Sequence, residues 1–185
     1  MKVKMILSLV VICVAAAALL SVVYDFTSKK IELERRARVL SQLQEVFPFP
    51  GVSFRPIMQD TLWAAYKGEE KVGIAFKTYK AGYGGPVETL VGLNLDTTVV
   101  VIRPATPAEG LKETPGLGTK IEEAWFKDQF KGKKANEILL KKNGGALDAV
   151  TGATISSRAV TDGVREGIEK YKKYLSNRAI EKTSN

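Results

Sequence analysis

The chain has 185 residues and a mass of 20.2 kDa, room for one soluble domain and an appendage. It holds no histidine and a single cysteine, Cys13, which excludes a disulfide and the usual ligand sets of zinc, haem and iron–sulfur sites. The net charge of +8 is spread among acidic residues without a recognition motif or aromatic–basic interleaving. It fits a solvated basic face near anionic lipid or an acidic partner, not a nucleic-acid surface.

Met5 to Tyr24 carries no charged side chain. About 20 such residues cross a bilayer core as a helix. Lys2 and Lys4 precede the run; Lys29, Lys30, Arg35, Arg36 and Arg38 follow it. The alanines at 15–18 would suit signal-peptide cleavage, but the apolar run continues through Leu19, Leu20, Val22 and Val23, which favours a retained anchor over residues 1–27. A lipoprotein signal ending at Cys13 lacks the usual leucine-led box. Basic residues on both sides, mixed with Asp25, Glu32 and Glu34, leave the orientation open.

Phe26 to Phe47 continues as helix, with a partial apolar stripe of Ile31, Val39, Leu40, Leu43, Val46 and Phe47. It predicts a juxtamembrane helix within 28–50 lying on the domain, stopped by Pro48 and Pro50-Gly51. Strands are expected at 61–66 and 72–79 around the turn Lys67-Gly68-Glu69-Glu70, then at 90–95 and 97–103 across Asp96. Thr98 to Ile102 is β-branched and reads as buried on both sides. Gly82-Tyr83-Gly84-Gly85-Pro86 is a tight loop, either a structural turn or a ligand-facing one.

Glu113-Thr114-Pro115-Gly116-Leu117-Gly118-Thr119-Lys120 forms a second loop, ahead of short helical stretches at 121–130 and 135–141. A long helix follows over 156–175, burying Ala159, Val160, Val164, Ile168 and Tyr171, with Ser156 or Ser157 as its N-cap. The fold class is α+β: one N-terminal transmembrane helix and one domain over 51–178, with an antiparallel sheet and packed helices. Residues 179–185 read as a tail.

Before the long helix stands Asp148-Ala149-Val150-Thr151-Gly152-Ala153-Thr154. Gly152 and Ala153 let a ligand approach the backbone, and the helix start offers unpaired amides and a positive dipole end, where a phosphate docks well. A plain small-residue turn reads the same way.

This block, extended through Ile155-Ser156-Ser157, resembles the flavinylation segment of the RnfG family, the FMN-carrying G subunits of Rnf ion-translocating complexes, and of the related NqrC proteins. The N-terminal span, the Gly82–Pro86 loop, Glu113–Gly118, Trp125 and Phe130-Lys131-Gly132-Lys133 match in the same order over nearly the whole chain. The compact length favours the RnfG-like member. The resemblance implies FMN joined to Thr154 by a phosphoester, installed from FAD by a separate flavin transferase. It makes Thr151, Gly152 and Ala153 the exposing turn, and Asp148 a residue for transferase recognition or local folding; a local turn cap is the simpler reading of Asp148.

By the same resemblance Thr114, Leu117, Gly118 and Lys120 lie over the flavin, and Gly84 and Gly85 permit close approach from the opposite loop. Ser157 hydrogen-bonds nearby or caps the helix, and Glu113 is loop structure. Family members usually place a histidine before this loop; this chain has none. The implied role is a non-catalytic electron relay in a membrane complex coupling ferredoxin and NAD to ion movement. Membrane and iron–sulfur subunits are the implied partners, and the flavin domain stands on the extracytoplasmic side of the plasma membrane. The competing readings are an NqrC-like subunit of a sodium-translocating NADH:quinone oxidoreductase, a stand-alone anchored FMN carrier or sensor, and a flavin-free assembly protein.

Overall fold

The computed structural model describes residues 2–176; the tail expected at 179–185 lies outside them. Two compact units meet between Leu40 and Ser41. The first is most of helix α1, Lys2–Val46. Its apolar part reaches a mean hydropathy of 3.0 with none of that stretch buried, so by length and composition it is long and apolar enough to cross a membrane. Within the expected juxtamembrane stripe, Ile31 and Leu40 remain exposed, whereas Leu43, Val46 and Phe47 are buried in the second unit.

The second unit is an antiparallel meander in the order β1-β2-β3-β4-β5. Its strands are β1 Val52–Met58, β2 Leu62–Lys67, β3 Glu70–Ala81, β4 Pro86–Asn94 and β5 Val99–Pro104. The turn at Gly68 closes the expected β2–β3 hairpin. At the β4–β5 turn the Asp96 carboxylate accepts both the backbone N–H of Thr98 at 3.0 Å and its hydroxyl at 2.6 Å, an Asx-type closure.

Strand β1 has no counterpart among the strands expected from sequence. It alternates between half-buried and exposed positions and contains Pro56, and its pairing with β2 slips between Pro56 and Met58. Proline removes a ladder donor, so it is confined to edges and bulges and hides the strand from pattern reading. In β5, Val99, Val100 and Ile102 are buried as expected, but Val101 is only half-buried, because this strand is the other edge. The loop after α2 (Ala124–Asp128) covers its start: Val99 N–H donates to Lys133 O at 2.9 Å and Gly132 N–H to Val99 O at 2.8 Å.

Helix α3, Thr154–Tyr171, lies across β3 and β4. The predicted stripe of Ala159, Val160, Val164, Ile168 and Tyr171 is buried, each large aliphatic member contributing about 1.5–3 kcal/mol of burial. It packs on Phe76, Val91 and Leu93 in one core. Beyond its C-terminus the buried Lys71 ammonium donates to the carbonyls of Tyr174 and Leu175. Burial holds the Lys71 pKa below its usual value.

A polar clasp ties the last turn of α1 to β5. Arg103 grips Glu109 through both terminal nitrogens, each at 2.9 Å, and reaches Glu45 through Nε at 2.6 Å. Gln42 Nε2 donates to Glu109 Oε1 at 2.6 Å, and Thr106 N–H to Oε2 at 3.0 Å. The Arg103 hydrogen bonds dominate over burial and hold the Glu109 carboxyl down at about 2.

Candidate functional site

The turn ahead of α3 is closed by its own backbone. Ala153 N–H donates to Val150 O at 2.9 Å, and Gly152 takes φ +77°, a left-handed value that suits glycine. The helix therefore starts at Thr154, two residues before the expected start at 156, and its N-cap position is Ala153, with no side-chain cap. This corrects the N-cap role expected for Ser156 or Ser157. Both hydroxyls lie inside the first turns and are used elsewhere. Ser157 Oγ accepts Val150 N–H at 2.9 Å and donates to Ala153 O at 2.9 Å, lashing the turn onto the helix.

Asp148 does not cap this turn through its carboxylate, whose hydrogen-bond and ion-pair partner is Lys141 Nζ at 2.8 Å on the exposed surface. Its backbone is held by Gln129. Asp148 N–H donates to Oε1 at 2.7 Å, and Nε2 donates to the Asp148 carbonyl at 3.3 Å. The start of the motif is thus pinned to the end of α2.

An open cleft of about 540 Å³ runs between the turn and the loop at 113–118, within the range of small-molecule sites. Gly152, Ala153, Thr154, Ile155 and Ser156 form one wall; Thr114, Leu117 and Gly118, with Tyr83 and Glu113, form the other. A Cβ at Gly152 would stand 3.3 Å from Leu117 Cδ2, which measures how closely the walls face each other. Thr114 O shapes its loop by accepting the N–H groups of Leu117 at 3.2 Å and Thr119 at 3.3 Å.

Six of the expected residues therefore meet at one cleft: Gly152, Ala153, Thr154, Thr114, Leu117 and Gly118. Thr151, Asp148, Ser157 and Lys120 do not line it; Thr151 and Lys120 are exposed beside it. Gly84 and Gly85 do not line it either. A Cβ at Gly84 would fall 1.8 Å from Lys112 O, so its close approach is to the neighbouring loop's backbone.

Tyr83, Glu113, Ile155 and Ser156 line the cleft although sequence did not mark them as binding residues. Ile155 had a usable signal: it is a large apolar residue off the buried stripe of α3, and it is 50% exposed.

The cleft suits a flat aromatic ring system that carries a phosphate. Leu117, Ile155 and Tyr83 leave apolar surface uncovered on both walls. The first-turn amides of the 18-residue α3 have no acceptor within the helix and meet the positive end of its dipole. FMN fits this donor set and shape.

Residues 82–169 match the family model of the FMN-binding domain. The chain is 30% identical over 167 residues to the G subunit of the proton-translocating ferredoxin:NAD(+) oxidoreductase complex of Clostridium ljungdahlii, the match covering 88% of each chain. It is 31% identical over 179 residues to the G subunit of the ion-translocating oxidoreductase complex of Methanosarcina acetivorans, covering 90% of this chain and 92% of that one. In fold it is similar to the C subunit of the Na(+)-translocating NADH-quinone reductase of Parabacteroides distasonis, with a TM-score of 0.51 and 22% identity over 63% of this chain and 62% of that one. Agreement in sequence over most of the length of these relatives establishes that the chain belongs to the G-subunit family of ion-translocating oxidoreductase complexes and contains its FMN-binding domain.

Proposed function

We propose that this chain carries FMN as a phosphoester on Thr154 and relays electrons as the G subunit of an Rnf-type ion-translocating complex. The observation that carries the reading is the placement of Thr154. It opens an 18-residue helix on the wall of a cleft with uncovered apolar side chains. The similarity to G-subunit proteins over nearly their whole length supports the wider assignment.

Bound FMN would supply the electron chemistry, and the protein supplies attachment, orientation and field. The first-turn amides of α3 would hold the phosphate. Leu117 and Ile155, on opposite walls of the cleft, would cover ring surface and limit water. Gly152 keeps the wall beside Leu117 low. In the modification, the Thr154 Oγ–P bond forms as the phosphoanhydride of FAD breaks, AMP leaves, and the hydroxyl proton departs to solvent. A flavin transferase performs that step, and Asp148, exposed at the head of the motif, is the residue it reads. Helix α1 is a retained anchor, the domain stands on the extracytoplasmic side, and membrane and iron–sulfur subunits exchange electrons with it. The relay performs no complete reaction alone.

The test is the intact mass and visible absorbance of the full chain extracted from membranes after co-expression with a flavin transferase. Wild type is expected to gain the mass of FMN minus water and a flavin spectrum. Thr154→Ala is expected to lose both, and Thr151→Ala to keep both. A colourless, unmodified wild type would sink the reading.

A further inference from the structure

Glu113 is 5% exposed and lines the same cleft as Thr154. Its Oε1 accepts the N–H of Tyr83 at 2.8 Å and of Gly84 at 3.4 Å. Its Oε2 accepts the Ser156 hydroxyl at 2.7 Å. Glycines make room for the two oxygens. A Cβ at Gly82 would lie 2.1 Å from Oε1, and one at Gly118 would lie 2.6 Å from Oε2.

All of these partners are neutral, and among the described residues no lysine or arginine forms an ion pair with Glu113. Lys112 and Lys120, the nearest cations in its own loop, are exposed. A carboxylate this buried is normally answered by a cation. Here three neutral donors and the positive end of the α3 dipole stand in for a cation; they offset the charge in part and leave the rest in a poorly screened place. Fastening two loops and a helix start would require only an acceptor; a fixed negative charge beside a redox site does something more.

We propose that Glu113 is an electrostatic tuning residue whose fixed negative charge holds down the reduction potential of flavin bound in this cleft. The inference rests on the reading that Thr154 carries FMN. One electron added without a proton brings one further negative charge into the cleft, and the carboxylate opposes it. Ser156, by donating to Oε2, draws off part of that charge and works in the opposite sense.

The experiment is a spectroelectrochemical titration, with dithionite as reductant, of the FMN-loaded full chain in three forms: wild type, Glu113→Gln and Ser156→Ala. Glutamine keeps the shape and an acceptor for the loop amides while removing the charge. It is expected to load FMN and to favour reduction about tenfold per electron, equivalent to about 60 mV positive. Ser156→Ala is expected to disfavour reduction about two- to threefold, through the loss of one donor to the carboxylate.

A loaded Glu113→Gln protein with an unmoved potential overturns the proposal. So do shifts of both variants in one direction, which a general disturbance of the loops would give. If Glu113→Gln fails to load, Ser156→Ala decides: a lowered potential supports the proposal, and an unchanged or raised one overturns it. A wild type without FMN overturns the parent reading and this one together, whereas a loaded wild type with unmoved variants overturns this one alone.

Discussion

Glu109 and Glu113 stand on the same stretch of chain and have very different surroundings. Glu109 faces the Arg103 guanidinium through two nitrogens and has Gln42 and Thr106 as further donors. Its charge is answered, and its carboxyl is held at about 2. Glu113 has three donors, two amides and a hydroxyl, all of them neutral. Glu109 accepts five hydrogen bonds and Glu113 three, but what separates their charges is the presence of a cation. With one, the carboxylate is a fastener between α1 and the sheet. Without one, it fastens and also leaves a field in the cleft.

The largest expected effect comes from the loop that feeds Glu113. In Gly84→Ala the new methyl would meet Lys112 O, against which a Cβ stands at 1.8 Å. A loss of about 3 kcal/mol in urea unfolding is expected, together with loss of FMN loading. An unchanged urea midpoint would show that loop packing does not hold the amides on Glu113.

Next is Arg103→Met, which leaves Glu109 with its neutral donors and so turns the clasp into a copy of the Glu113 site. Glu109 is partly solvated, so the cost is expected to be about 1–2 kcal/mol, below that of a fully buried broken pair. The flavin potential should stay at the wild-type value. A moved potential would erase the distinction between the two carboxylates.

The pH dependence separates them further. Glu109 has a folded value of about 2 against an ordinary 4.5, a depressed pKa, so its stabilising contribution is full above 4.5 and is lost as pH falls through 2. Thermal melts from pH 5 down to 2 should drop steadily in wild type. In Glu109→Gln this part of the slope should flatten, from a lower starting Tm. An unaltered slope would show that the clasp is not the acid-sensitive fastener.

The smallest effect is expected at Lys141→Ala. Its pair with Asp148 is solvent-exposed, with side chains 61% and 58% accessible, and is worth no more than about 0.5 kcal/mol. FMN loading should persist in this variant, because the backbone of Asp148 remains held by Gln129. Loss of loading would mean that the ion pair orients the motif for its modifying enzyme.

Periodicity made α3 legible, since Ala159, Val160, Val164, Ile168 and Tyr171 repeat at helical spacing and all face the core. Turn chemistry at Gly68 and Asp96 made two hairpins legible for the same local reason. Strand β1 was not, because Pro56 and a half-solvated alternation disguise an edge strand. The cleft was legible in outline through its glycines, yet their spacing does not say what approaches them; for Gly84 it is Lys112 O. Ser157 looked like a cap because sequence shows a serine near a helix start and not the direction of its hydroxyl. The bond from Ser156 to Glu113 spans 43 residues. No local pattern encodes such a distant pairing, and for this reason Glu113 looked like an ordinary loop residue.

The two edges of the sheet bear on how the domain meets other proteins. At β1, Pro56 and the slipped register interrupt the row of donors a further strand would need. At β5, Lys133 and Gly132 already occupy hydrogen-bonding groups of Val99. A sheet finished in this way offers poor templates for strand addition, whether from a second copy or from a neighbouring protein. Recognition is left to side chains and loops. The cleft loops project such side chains around Thr154, so the surface best able to meet a partner protein is also the one that borders the cleft.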